Sequence, residues 1–207
     1  KNRIVNGPAL RQYFPVDGIK KENLSNSKSI LLVLPLIENA AYQLIHSLFK
    51  INHWIINNLN YSVLVKTHPM TSQNNYYSMI NLITNNSFPE NWEIFNGEIN
   101  DAIDKSNCAI TINSASIVDI VISGCVPINL LLDNELHWNY LDYLENDHPL
   151  LKPIKSNHLK ARINDILFDK NTYYIDQATK LKTILTNGLN PPTDNNMKAF
   201  LSFESSN

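Results

Sequence analysis

The segment Cys108–Leu130, CAITINSASIVDIVISGCVPINL, admits few folds. It opens with an apolar run of strand length, Cys108–Ile112, and then breaks into Asn113, Ser114, Ala115 and Ser116, small residues suited to the start of a helix. Ile117, Ile120, Val121 and Gly124 follow at helical spacing. Ser123-Gly124 ends that helix, because glycine accepts the left-handed conformation needed just past a C-terminus. A second apolar run, Val126–Leu132, comes next. Strand, turn, helix and strand in so short a span form a βαβ unit, with parallel strands and a right-handed crossover. Such sheets bind ligands outside the carboxyl ends of their strands, which puts Asn113–Ser116 where a ligand would sit. A helix starting at Ala115 offers unpartnered N–H groups and roughly half a positive charge, so the turn favours an anion such as phosphate. The same Ser114 also reads as a plain helix cap, worth about 1 kcal/mol.

The rest of the composition narrows what that turn can serve. With 207 residues, the chain suits one well-buried domain plus extensions. A formal net charge of −2 gives no general attraction for nucleic acid, so phosphate binding must be local. The chain has five glycines and neither GxGxxG nor GxxxxGK[ST], which leaves hydroxyls and helix ends to hold phosphates. Two cysteines, Cys108 and Cys125, both in apolar context, make no disulfide framework or zinc site and point to a reducing, cytoplasmic compartment. No metal and no resident cofactor is expected. No apolar run reaches the ~18 residues of a membrane span. The chain begins at Lys1 with neither an initiator methionine nor a signal pattern, and reads as a piece of a larger enzyme.

Taken in order, residues 1–29 have the composition of a linker or N-terminal extension, with turn signals at Gly7-Pro8 and Asp17-Gly18. Ile30–Leu34 is a first strand, followed by the polar pair Glu38-Asn39 and a helical stripe between Ala40 and Asn57. Tyr61–Lys66 is a second strand, and Pro69 forces it to stop with His68 at its carboxyl end. A helix through Tyr76 and Ile83 ends at Asn85-Asn86-Ser87. Trp92–Phe95 is a third strand, followed by Asn96-Gly97 and a short helix, Ile99–Lys105, into the strand at Cys108. Asp133–His148 resists assignment, Leu150–Ile154 reads as a sixth strand weakened by Pro153, and two helices follow, through Leu159–Leu167 and Tyr173–Thr186. Asn196–Phe203 is a last short helix within a tail, 189–207. The alternation predicts an α/β, Rossmann-like, doubly wound parallel sheet of about six strands over 30–188.

Two strand ends then carry functional groups on one edge: Lys66-Thr67-His68-Pro69 and Asn113-Ser114-Ala115-Ser116. Glu38, Asn39, Asn96 and Gly97, at the other strand ends, are secondary candidates. An imidazole N–H can donate to an oxyanion and, if protonated, neutralise charge on a leaving nucleotide.

With VKTHP (Val65–Pro69) and TINSASIVDIVISGCVPI (Thr111–Ile128), the chain resembles the C-terminal, nucleotide-binding half of GT-B glycosyltransferases. It is most similar to bacterial surface-polysaccharide enzymes with HP and serine motifs, of the sialyltransferase-like and Kdo-transferase-like kind. The resemblance implies a CMP-activated sugar as co-substrate, with His68 stabilising the departing phosphate and Ser114 and Ser116 holding it. It implies a glycan acceptor for lipopolysaccharide O-antigen or capsule, and an N-terminal half that carries the acidic general base. It implies, too, a cytoplasmic enzyme peripheral to the inner face of the membrane. IVNGPALR (Ile4–Arg11) is similar to the segment joining the two halves, and the tail to one that crosses back. Asp119 stands where many relatives carry a nucleotide-binding Glu, and that role is not carried over to it.

Three rivals use related parts. CDP-glycerol-type polyol-phosphate transferases share a KxHP motif, but Ile112-Asn113-Ser114-Ala115 departs from their Asp-Tyr-Ser-Ser loop. A nucleotide-sugar 2-epimerase has the same fold, and a non-catalytic GT-B-like scaffold would keep the fold without binding nucleotide.

Overall fold

The computed structural model describes residues 28–112, 114–131 and 148–188. Its centre is a five-stranded sheet in the order β3-β2-β1-β4-β5, built from β1 (Ser29–Val33), β2 (Ser62–Lys66), β3 (Trp92–Ile94), β4 (Cys108–Thr111) and β5 (Val126–Asn129). Every pairing is parallel, with Leu31 opposite Leu64 on one side and Ala109 on the other. β1 is central and covered on both faces, which is why SILLV reads as a continuous apolar run and lies fully buried.

The helices α1 (Glu38–Phe49) and α3 (Gln73–Ile83) cover the face presented by Ile30, Leu32, Val63 and Val65. The helix α4 (Ile99–Asp104), with Ile120 of α5 (Ser116–Ile122), covers the opposite face at Leu31, Val33, Leu64 and Ala109. Right-handed crossovers require this change of face: the chain winds outward from β1 to β3, then returns to lay β4 and β5 on the other side of β1. The winding reverses between β1 and β4, and the loops after those strands form the crevice of a doubly wound sheet. The fold is the Rossmann-like α/β sheet expected from the sequence.

Several boundaries differ from expectation. The sixth strand is reduced to one parallel bridge, Leu130↔Ile154, beside a turn in which Leu151 N–H donates to the His148 carbonyl at 2.9 Å. Pro153 lacks the N–H a longer ladder would need. The stripe over 40–57 divides: α1 stops at Phe49, and the three-residue α2 (Asn52–Trp54) runs into a π-helical turn, Ile55–Leu59, ended by Asn60 at φ 54°. Asn85 and Asn86, at φ 54° and 61°, supply the left-handed turn after α3. Gly124 (φ 78°) ends α5 as expected, with Cys125 N–H donating back to the Ile120 carbonyl at 3.1 Å. Beyond the bridge, α6 (Leu159–Asn164) and α7 (Asn171–Gly188) complete the larger core through Leu159, Ile163, Leu181 and Leu185. Residues 1–27 of the expected extension 1–29, Asn113, the stretch 132–147 and the expected tail 189–207 lie outside the described residues. Among the described residues no helix is long and apolar enough to cross a membrane.

Cys108 and Cys125 are both buried, and burial pushes the Cys108 thiol up to about 12 and the Cys125 thiol well above its ordinary value. Both thiols therefore stay protonated in the folded chain while the unfolded chain ionises near pH 8.5–9. The unfolded state then binds fewer protons, so stability is unaffected below pH ~8 and falls as pH rises toward the folded-state values. Denaturation at pH 8, 9 and 10 should show a loss approaching ~1.4 kcal/mol per thiol per pH unit. Cys108→Ala/Cys125→Ala should flatten it; an unchanged slope would refute the assignment.

Candidate functional site

The functional loops stand at the carboxyl edge, on either side of β1: the His68 loop follows β2 and the serine turn follows β4. Adjacent strands lie ~4.8 Å apart, so the two strand ends are about 10 Å apart, close enough for one ligand to span.

The His68 loop is a hydrogen-bonded turn. Pro69 presets the second position, and Thr71 N–H donates to the His68 carbonyl at 3.0 Å. Met70 N–H donates to His68 Nδ1 at 3.2 Å, which fixes the ring. His68 is half-buried, and its Nε2 has no partner among the described residues. Thr67 beneath it is buried, while Pro69 and Met70 are exposed.

Lys66 is placed differently from expectation. Its Nζ donates to the Gly97 carbonyl at 2.6 Å, and Gln73 Nε2 donates to Asn96 Oδ1. Lys66, Asn96 and Gly97 are thus brought together as a clasp between the loops after β2 and β3. Gln73 was not recognised as part of it, because its signal is a contact 23 residues away in sequence. A Cβ on Gly97 would fall 2.7 Å from Phe95 Cε1, against a buried ring that also carries the Lys105 ammonium 4.8 Å from its centroid. Gly97→Ala is expected to displace Phe95 and cost about 1–2 kcal/mol in chemical denaturation. A neutral result would mean that the ring yields freely.

Glu38 and Asn39 are exposed in the first turn of α1 and, with Thr71, Asn75 and Met79, line a groove of about 490 Å³ between α1 and α3. Tyr76 anchors this flank from beneath, its hydroxyl donating to the Pro35 carbonyl at 3.0 Å. The pair sits at the edge but on its outer flank, facing the neighbouring helix.

At the serine turn, α5 starts at Ser116, one residue later than expected, with Ala115 preceding it in helical conformation at φ −60°. Ser114 Oγ accepts from Ser116 N–H at 3.2 Å and donates to Ser116 Oγ at 3.0 Å. Ser114, Ala115 and Ser116 are half-buried, and Asn113 lies outside the described residues. Thr111, the last residue of β4, is fully buried, and its Oγ1 has no hydrogen-bond partner among the described residues. No cluster of metal-ligating side chains occurs among the described residues.

No protein-family model matches the sequence, and no curated protein matches it. Solved structures do. S. aureus MnaA, solved with UDP, is 14% identical, aligns over 78% of this chain and 43% of its own, and has a TM-score of 0.52. A Listeria monocytogenes protein described as a UDP-N-acetylglucosamine 2-epimerase is 17% identical over 84% of this chain and 42% of its own, with a TM-score of 0.51. The C-terminal domain of a group 1 glycosyl transferase, LpcC of Francisella tularensis, is 10% identical over 85% of this chain and 95% of its own, at a TM-score of 0.51. The chain thus spans less than half of the first two proteins and nearly all of the third domain. At these identities the likeness establishes the fold, that of a GT-B C-terminal half.

Proposed function

We propose that this chain is the donor-binding half of a GT-B glycosyltransferase that uses a nucleotide sugar, with His68 and the Ser114–Ser116 turn on the donor's phosphate. The observation that carries the reading is the pairing of these two donor-bearing loops on either side of β1, at the edge where a doubly wound sheet binds its ligands. Lys66 joins the clasp through the Gly97 carbonyl, and its ammonium keeps two further N–H donors for the phosphate. The HP and serine motifs favour a CMP-linked sugar and a role in O-antigen or capsule synthesis at the inner face of the membrane. The N-terminal half would supply acceptor and general base, so these residues alone should transfer no sugar.

Thermal shift with CMP, CDP, UDP and GDP, each beside its nucleoside, tests the reading. A nucleotide at 100 times its dissociation constant stabilises by about 2.7 kcal/mol, or roughly 5–10 °C for a chain of this size. CMP or CDP is expected to give the largest shift, and cytidine little. A preference for UDP would replace the donor while keeping the phosphate site. No response to any nucleotide would leave the scaffold reading. UDP bound to MnaA and the epimerase description of the Listeria protein favour a second reading, a nucleotide-sugar 2-epimerase. Equilibration of UDP-N-acetylglucosamine with its 2-epimer by the two-domain protein would decide for it.

A further inference from the structure

We infer that Gln73 and Asn96 are positioning residues for His68: side-chain bonds staple both ends of the His68 turn to consecutive residues of the loop after β3, so the two loops hold or open together. Their role at the site rests on the reading of His68 as the residue that faces the donor; their hold on the turn does not.

The backbone leaves this task to side chains. Pairing of β2 with β3 ends at the bond from Phe95 N–H to the Val65 carbonyl, 2.9 Å long. Beyond it, residues 67–72 are shaped by local bonds: Thr71 N–H to the His68 carbonyl, Met70 N–H to His68 Nδ1, and the Ser72 cap, whose Oγ accepts from Asn75 N–H at 3.3 Å. Those bonds form the turn without reaching the neighbouring strand. Among the described residues, the ties to the loop after β3 come from the two flanks. Lys66, just before the turn, donates from Nζ to the Gly97 carbonyl at 2.6 Å, and Gln73, just after it, donates from Nε2 to Asn96 Oδ1.

Because the donors bracket the turn and the acceptors are adjacent, a shift of Asn96-Gly97 pulls on both ends of the turn at once. The acceptor side is itself held: Gly97 lies against the buried Phe95 ring, where a Cβ would come within 2.7 Å of Cε1. Gln73 and Asn96 are both exposed, and an exposed bond of this kind adds little to global stability. Its effect falls instead on local opening, which for a surface turn costs far less than unfolding the core. The bond is therefore placed to govern how long the His68 turn stays closed, and not whether the chain folds.

Amide hydrogen exchange of the whole chain, followed by NMR at one pH, reads the turn through Met70 N–H and Thr71 N–H, which close it on His68. Gln73→Ala and Asn96→Ala should each speed their exchange about two- to tenfold, as for one lost hydrogen bond. The double variant should exchange no faster than either single one, because both remove the same bond. Asn96→Asp, which keeps an acceptor for Gln73 Nε2–H, should stay near the unmutated rate. Amides of the central strand, Leu31 and Leu32, should not move. Unchanged exchange at Met70 and Thr71, multiplied effects in the double variant, or equal acceleration of the strand amides would each overturn the inference. Titrations with CMP and UDP supply the second arm. Whichever nucleotide binds should slow exchange at Met70 and Thr71 in the unmutated chain, and Gln73→Ala and Asn96→Ala should bind it with equal affinity. A loss confined to Asn96→Ala would make Asn96 a ligand contact and overturn its positioning role. If neither nucleotide slows exchange in the unmutated chain, the donor reading falls, and the rates without nucleotide still decide whether the staple holds the turn.

Discussion

Under the proposed function, His68→Ala is expected to lower sugar transfer by the two-domain protein about 10²- to 10³-fold while moving the melting temperature of this chain by less than about 2 °C. The two expectations have one origin. Among the described residues the His68 ring makes one hydrogen bond, accepting from Met70 N–H, and the turn is also closed by the Thr71 N–H bond to the His68 carbonyl, which alanine keeps. Under the proposed function, by contrast, negative charge would develop on the departing phosphate, and a donor aimed at it would contribute more in the transition state than in the ground state. Turnover per folded molecule, compared with thermal unfolding of the same preparation, separates the cases. A fall of several degrees in melting temperature with normal turnover would make His68 a structural residue. His68→Asn adds a further distinction, because it keeps a neutral donor without a titratable proton. If the neutral Nε2–H is what the enzyme uses, Asn should recover much of the lost rate; if proton transfer is required, it should recover none.

Asn52→Leu should produce the largest loss of stability from any single polar side chain of the core, about 3 kcal/mol, or roughly 6–12 °C in melting temperature. Asn52 is 5% exposed, and its Oδ1 accepts from Trp92 Nε1 at 2.8 Å and from Asn91 Nδ2 at 3.0 Å. Its own Nδ2 donates to Asn91 Oδ1 at 3.0 Å. This small network joins α2 to the start of β3, the edge strand of the sheet. Leucine matches the volume but strands a buried indole N–H and leaves the Asn91 amide only its bond to the Tyr61 carbonyl, and the cost of an unmet buried donor exceeds the net worth of the bonds. Urea denaturation of Asn52→Leu, Trp92→Phe and the double variant measures the coupling. The double variant should be less damaged than the sum of the singles, since phenylalanine has no donor to strand. Strict additivity, or a loss below about 1 kcal/mol for Asn52→Leu, would show that the network is relaxed by water.

The sequence by itself determined the parallel α/β class and the two loops worth testing. Apolar runs of strand length, helical stripes between them and the stops at Pro69 and Gly124 are local signals, decided by residues a few positions apart, and they survive folding because nothing distant opposes them. They fix that His68 and Ser114 follow strands, and a parallel sheet puts all such loops on one edge. The strand order, which sets both loops beside β1, is absent from any local pattern, because it depends on which faces the crossover helices cover. For the same reason the contact of Lys66 with the Gly97 carbonyl was not legible: the two are 31 residues apart and brought within reach by the β2–β3 pairing. The contacts within the serine turn were hidden by a shorter distance, since two serines flanking an alanine are equivalent as residue types. Only the backbone conformation at Ala115 turns the Ser116 N–H toward Ser114 Oγ. The reduced sixth strand follows the same logic: Leu150–Ile154 has the apolar content of a strand, but the tertiary structure spends it on burying Leu150 and Leu151 in the core and leaves one residue, Ile154, to meet the sheet. Burial of apolar surface and pairing of backbone groups compete for the same few residues there, and which one prevails depends on neighbours that lie far away in sequence.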